Sequence, residues 1–277
     1  MGRHNGRETT VPGAGAVRPR RVSALWIAAG YGIGPFVAFL VMWWLAVWVW
    51  RPGPEILPSP ADVAVEAIRA LRGGVLLEAT LRSIARLLFT AIAAIPLGVG
   101  VALAVGTVPA ASELLMPVLR YLTAIPAIAW LPVFLVAFGF NETSVVATAA
   151  YSFFFPVLFN TLVGVQTVPR VLRHAIRTLG GSGYRVVRDV LLPGALPSIA
   201  AGVRLGFGYG WRALVGAEML VAQGGLGYLL LKAQSVGLVP RMVVGMVAIG
   251  VLAALVDALL LEPLEEATVR RWGTVRG

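Results

Sequence analysis

Residues 169–193 read Pro169-Arg-Val-Leu-Arg-His-Ala-Ile-Arg-Thr-Leu-Gly180, then Gly181-Ser-Gly183, then Tyr184-Arg-Val-Val-Arg-Asp-Val-Leu-Leu-Pro193, a basic stretch set between apolar runs. Val171, Ala175, Ile176 and Leu179 share a helical face opposite Arg173 and Arg177, so the first part predicts a short amphipathic helix. Gly180, Gly181 and Gly183 predict a hinge, and the residues from Tyr184 a second helix. A segment this cationic does not cross a bilayer, so it lies at one face between two crossings. Periodicity leaves two readings of the first helix open. It is either a basic interfacial helix touching anionic lipid or a knob offered to a partner protein.

The rest of the chain says that there is a bilayer to cross. Of its 277 residues, 58% are hydrophobic and 13% charged, outside the range of soluble domains. Mean hydropathy is +0.84. A helical span needs roughly 20 apolar residues, so this length accommodates about six and leaves no room for a separate soluble domain of ordinary size. The absence of Cys excludes disulfides, thiolate zinc sites and Fe-S clusters. His4 and His174 are the only histidines, so no metal site is expected. The net charge of +10 comes almost wholly from Arg, since Lys232 is the only lysine. In a membrane protein such a balance reflects cationic loops held on the cytoplasmic side rather than nucleic-acid binding.

Residues 1–30, with Arg3, Arg7, Arg18, Arg20 and Arg21 among Gly, Pro and Thr, predict a disordered basic cytoplasmic arm. Uncharged runs then predict six crossings, at about 31–50, 84–106, 114–138, 144–164, 195–221 and 241–261, with a tail at 263–277. Ser59 as N-cap, Pro60 at the first helical position and Asp62 in the first turn predict a short surface helix over Pro60–Arg72. The third crossing carries Pro117, Pro126 and Pro132, which free backbone carbonyls and suit a helix that borders a cavity. Fourteen Arg fall in segments 1–30, 107–120, 165–193 and 262–277, against seven Lys and Arg in the alternate loops, so both termini are expected in the cytoplasm.

The basic elbow also resembles the EAA loop of permease subunits of bacterial ATP-binding-cassette importers. Ala175, Gly180, Leu192 and Pro193 match that pattern, while His174 stands where the family has Glu and Ile176 where it has its third-position Ala. Leu57-Pro-Ser-Pro60, Ile125-Pro-Ala-Ile-Ala-Trp-Leu-Pro132 with Phe138-Gly139, and Leu191-Leu-Pro-Gly-Ala-Leu-Pro197 resemble the taurine, alkanesulfonate and nitrate branch. So do Gly202-Val-Arg204, Trp211 with Ala217-Glu218-Met219, Gly225-Leu-Gly-Tyr228, and Asp257 with Trp272. The resemblance spans roughly residues 55–275. It implies an all-helical permease that pairs with a second copy of itself, docks a separate ATPase from inside and receives a solute-binding protein from outside. It further implies that Arg170, Arg173, His174, Ala175, Arg177, Leu179 and Gly180 couple the permease to that ATPase, and that the solute is a small anion. A neutral or aromatic heterocycle is the alternative cargo.

The residues agree that the motor is elsewhere. A phosphate-cradling loop needs Gly-Lys-Ser or Gly-Lys-Thr, and Lys232 follows Leu231. ATP and Mg are thus expected on the partner ATPase, with no cofactor or catalytic residue in this chain. A membrane enzyme would need clustered His, Asp or Glu near one interface, and the acidic residues here are scattered. Arg204, Arg212 and Glu218 interrupt the fifth crossing, and Asp257 lies near the inner end of the sixth. Charges at such depth face protein or a water-filled path. Two readings follow: Arg204 and Arg212 line a wall for an anion, or Arg204 pairs with acids near the inner face and Arg212 pairs with Glu218 of this or a neighbouring helix. Thr123, Tyr151 and Asn160 are further candidates to touch solute, with helix-packing hydrogen bonds as the other use of such residues.

Overall fold

The computed structural model describes the backbone of residues 21–272 and the surroundings of side chains 34–268. Residues 1–20 of the expected arm and 273–277 of the expected tail lie outside the described residues. The chain divides into two units, 1–51 and 52–277. In the first, helix α1 covers Arg21–Trp50, beginning ahead of the boundary expected at residue 31. Its Phe39 and Trp43 rings lie 6.3 Å apart.

The second unit opens with α2, Pro60–Arg72, whose start is built as its sequence suggests. The Asp62 backbone N–H donates to Ser59 Oγ at 3.1 Å, and the Ser59 backbone N–H donates to Asp62 Oδ2 at 3.0 Å, a reciprocal capping box. The Ser59 hydroxyl also donates to that carboxylate and, with the Ser59 backbone N–H, holds Asp62 below the ordinary carboxylate range. The cap is therefore complete at neutral pH and is lost only as acid protonates Asp62 below its usual value. Arg241 Nε donates to Glu66 of α2 at 2.7 Å and ties this surface helix to the last crossing.

Next come α3, Val75–Thr107; α4, Pro109–Thr123; α5, Leu131–Phe138; and α6, Glu142–Thr167. A 3₁₀ turn at Ala127–Trp130 leads into α5. Then follow α7, Arg170–Thr178; α8, Gly183–Val186; α9, Leu192–Leu220; α10, Leu226–Ser235; α11, Val239–Val256; and α12, Glu262–Trp272. Among the described residues, four helical stretches are long and apolar enough to cross a membrane, Val75–Thr107, Glu142–Thr167, Gly183–Leu220 and Val239–Thr268, and Gly34–Trp50 is a shorter apolar one. The stretch expected as a third continuous crossing is instead bent by 98° between α4 and α5.

Small residues settle what that bend is. On α3, Ala94, Gly98, Ala102 and Gly106 recur every fourth residue and bring its backbone against α6. A Cβ at residue 98 would lie 2.9 Å from Val157 Cγ1, and one at residue 106 would lie 2.9 Å from Val165 Cγ1. Partner positions rise together, so α3 and α6 run parallel. Chain 108–141 must therefore return to the end where α3 began, which makes the bent pair one broken crossing. Pro126 explains the break, because it lacks the N–H that would bond the Leu122 carbonyl.

Helix α9 closes on the other side of α6 in the opposite direction. Gly202 meets Asn160 and Pro156, while Gly206 and Gly210 straddle the Phe153 ring. The alternating glycines of this helix thus serve packing within the chain; Gly208, like Gly100 of α3, faces open space. Two single π turns interrupt the helical ladder, at Val187–Leu191 and Asp257–Leu261. Each stands just ahead of a proline, Pro193 or Pro263, whose missing N–H leaves a carbonyl one turn back without its usual donor.

Because a Cβ at residue 206 would sit 2.8 Å from Phe153 Cδ1, Gly206→Ala is expected to cost about 1–3 kcal/mol. Gly208→Ala, with no atom within 4 Å, is expected to be neutral. Thermal melts of the detergent-solubilised protein check the contrast.

Candidate functional site

At the break, the chain opens a cavity of about 480 Å³. Its wall is made by Thr123, Ile125, Pro126 and Ala127 from the break, by Tyr151, Ser152, Phe155, Pro156, Phe159 and Asn160 from α6, and by Leu205 and Tyr209 from α9. Thr123, Tyr151 and Asn160, which the sequence singled out separately, are brought together here. Tyr151 and Asn160 are held for local reasons. The Tyr151 hydroxyl donates to the Leu122 carbonyl, which lacks its usual donor at Pro126 and also accepts from the Ile125 N–H at 3.0 Å, and its ring meets Trp130 at 5.4 Å and Phe155 at 5.0 Å. The Asn160 amide donates to the Pro156 carbonyl at 2.9 Å. The Ser152 hydroxyl, absent from the sequence-based candidates, donates to the Tyr209 carbonyl at 3.2 Å across to α9. No charged side chain is part of this wall.

The charged candidates go elsewhere. Arg204 donates from Nε and Nη2 to both Asp257 carboxylate oxygens at 2.8 Å, and from Nη1 to Glu265 at 2.9 Å. Its charge is spent on holding α9 to the π turn and to α12, so the pairing reading describes it. Glu218 is fully buried and does not face the cavity. It accepts from Arg86 Nη1 at 2.6 Å, from Ser83 Oγ at 2.8 Å and from the Gly227 backbone N–H at 3.0 Å. Of the two readings of Arg212, the one that pairs it with Glu218 gives way within this chain to Arg86 with Glu218.

Arg86 and Glu142 are residues that sequence reading missed as a site. Arg86 donates from Nε and Nη2 to the two Glu142 oxygens and from Nη1 to the Gly224 carbonyl at 2.6 Å. The network joins α3, the start of α6, the end of α9 and loop 221–225. The one sequence signal was the position of Arg86 inside the apolar run of α3, which reads equally well as a topological charge near a membrane boundary. Gly225 seals the network: its φ is +106°, and a Cβ there would lie 2.4 Å from Glu218 Oε1.

Arg212 is exposed on α9, with its guanidinium 5.9 Å from the centre of the Tyr209 ring. Among the described residues no carboxylate bonds it. It stands eight residues, about 12 Å, before the last residue of α9, with only the Tyr209 ring between it and the cavity.

At the far end of α6 the elbow departs from its expected orientation. Periodicity sets Arg173 with Arg177 on the polar face, yet its Nη2 donates inward to the carbonyls of Val165 at 2.8 Å and Val168 at 3.3 Å, acceptors left open where α6 ends. Ile176 packs beside it against the cluster of Val165, Val168, Val186, Leu191 and Ala195. Val171 and Leu179 instead turn outward, 75% and 81% exposed. Arg170, His174, Ala175 and Arg177 are also exposed. The helix stops at a Schellman motif, in which the Gly181 N–H donates to the Ile176 carbonyl at 2.8 Å and the Gly180 N–H to that of Arg177 at 3.0 Å. Gly180 has φ +78°, and a Cβ at residue 181 would lie 2.4 Å from Ile176 Cγ2, so both glycines are required.

Comparison with known proteins places this geometry. Residues 94–262 match the family model described as binding-protein-dependent transport system inner membrane component. The chain is 32% identical to the taurine transport system permease protein TauC of Escherichia coli over 81% of its own length and 84% of that protein. It is 31% identical to the nitrate import permease protein NrtB of Synechocystis sp. over 61% of each. Among solved structures, an amino acid ABC transporter described as crystallised with histidines superposes with a TM-score of 0.56 at 18% identity, over 73% of this chain and 96% of that one.

Removing one member of a buried ion pair strands the other charge, so Glu218→Ala is expected to cost about 3–5 kcal/mol. The exposed Arg82 to Glu78 pair is expected to contribute under about 1 kcal/mol when Arg82→Ala breaks it. Melting of the purified protein distinguishes them.

Proposed function

This chain belongs to the binding-protein-dependent transport system inner membrane component family, and from that premise we propose that it is the path-forming subunit for a small anionic solute, working as a homodimer. It is a multi-pass permease of the ABC-importer kind, in a family whose members work with an ATPase and a solute-binding protein. The observation that carries the anion reading is Arg212. An arginine exposed at membrane depth without a carboxylate is too costly to leave against lipid. It requires either a water-filled path or a second copy of the chain, and its neighbour Tyr209 already lines the cavity. Taurine and nitrate, named for the relatives, each carry an anionic group, which is in keeping with a cation beside the path.

In the same reading there are six crossings with both termini in the cytoplasm, and the elbow lies on that side. The antiparallel course of α6 and α9 supports this, because α7 follows the end of α6 where α9 begins, and Arg204 in the first half of α9 bonds Glu265 of α12. Arg170, Arg173, His174, Ala175, Arg177, Leu179 and Gly180 form the ATPase-coupling element. Arg173 anchors it, Gly180 ends it, and Leu179 is free to enter a partner. ATP and Mg are handled by the separate ATPase, whose closure moves the elbow and, through α6 and α9, reshapes the cavity. This chain supplies no covalent chemistry. Thr123, Tyr151 and Asn160 offer polar contacts along the path, and Glu218 has a positioning role at the outer end.

One observation favours the second reading, a neutral or aromatic heterocycle as cargo: the cavity wall is uncharged and carries Tyr151, Phe155, Phe159 and Tyr209. Transport assays in proteoliposomes with the cognate ATPase and binding protein separate the two. Arg212→Gln is expected to lower uptake efficiency for a sulfonate such as taurine roughly tenfold, the equivalent of about 1.4 kcal/mol of charge stabilisation. Unchanged velocity and preference would favour the heterocycle. Because the chain has no cysteine, Tyr209→Cys provides a clean probe of pairing: a disulfide-linked dimer is expected if two copies meet across the cavity.

A further inference from the structure

We infer that the elbow docks into an acidic cleft, a groove of the partner ATPase with an apolar floor and carboxylates along one wall. This rests on the reading above that the elbow is where the ATPase binds. The inward side of α7 is fixed by Arg173 on the Val165 and Val168 carbonyls and by Ile176 in the core cluster. With successive residues about 100° apart around a helix, the outward ridge is Val171, Ala175 and Thr178. Leu172 and Leu179 hold one flank of that ridge, and Arg170, His174 and Arg177 hold the other.

Among the described residues, Arg170 and Arg177 on that flank have no counter-ion. Residues 166–188 contain five arginines and His174 but no carboxylate. The next residue, Asp189, lies 4.0 Å from Arg188. Among the described residues no carboxylate bonds Arg170, Arg177 or Arg185, all of which are exposed. Arg170 stands in the first turn of α7, where the helix dipole disfavours a cation. Arg170, Arg173 and Arg177 also follow one another at spacings of three and four residues, which place like charges side by side. Such a helix is destabilised by itself and is relieved by negative charge from outside. The exposed Val171 and Leu179 at its tip call for an apolar floor in the same partner.

A flat anionic membrane is the poorer match, because it suits an apolar stripe with cations on both rims, and here one rim is Leu172 and Leu179.

The test measures binding of the cognate ATPase to the full-length permease in nanodiscs, at rising salt. Arg170→Glu with Arg177→Glu is expected to weaken binding at least tenfold at low salt and to flatten its salt dependence; both side chains are exposed and unbonded, and an unchanged melting temperature verifies the fold. Arginine substituted for carboxylates of the ATPase cleft is expected to restore affinity to the double variant. If the double variant binds with unchanged affinity while Leu179→Asp abolishes binding, docking is apolar and the acidic cleft is wrong, although the elbow remains the docking point. If Leu179→Asp and Val171→Asp also bind normally, the docking reading itself fails. Should the double reversal remove adhesion to phosphatidylglycerol vesicles yet spare ATPase binding, the elbow is a lipid contact and the inference is overturned.

Discussion

The close approach of α6 to the backbones of α3 and α9 is the contact from which everything else takes its position. Between helices in lipid there is little hydrophobic drive, so association rests on van der Waals fit, and fit at this range needs residues without bulk. Gly98 and Gly106 on one side, and Gly202, Gly206 and Gly210 on the other, leave no space for a methyl group against Val157, Val165 and Phe153. Held between two neighbours, α6 serves as the frame. Its middle faces the cavity with Tyr151, Ser152 and Asn160, its first residue Glu142 meets Arg86, and its last carbonyls receive Arg173.

That frame sorts the charges of the bundle into three situations. Arg86 and Glu218 form a desolvated pair, with hydrogen bonds to Glu218 from Ser83 and Gly227 and with the exposed Glu142 on the other edge of the guanidinium, and breaking such a pair is far more costly than forming it is favourable. Its value lies in specificity, since it admits one arrangement of loop 221–225 over the helix ends. Arg204 is neutralised by Asp257 and Glu265 and secures the C-terminal helix. Arg212 alone of these arginines is left exposed with an aromatic ring for company.

Prolines supply the irregularity at which the cavity opens. Non-helical backbone at membrane depth is tolerated where protein or a water-filled cavity satisfies it. The break at residues 124–126 meets that condition because the Tyr151 hydroxyl takes up the Leu122 carbonyl. The π turns before Pro193 and Pro263 lie beside the elbow and beneath the last crossing, so the two helices joined by Arg204 each carry an interruption near the end where an ATPase would push.

Sequence by itself determined the membrane class, the helical character, the surface helix with its capping box and the basic elbow with its glycine hinge, because periodicity, caps and breakers are local properties. It also marked Thr123, Tyr151 and Asn160 as candidates, on polarity alone. Only the tertiary structure decided that these meet in one cavity, that the third crossing is broken, and which charges pair. Arg86 and Glu218 are separated by 132 residues, and no pattern along the chain encodes such a partner. Arg173 turned inward for a similar reason: helical periodicity treats arginine as a solvent-facing residue, whereas the open carbonyls at the end of α6 offered its guanidinium a better place than water.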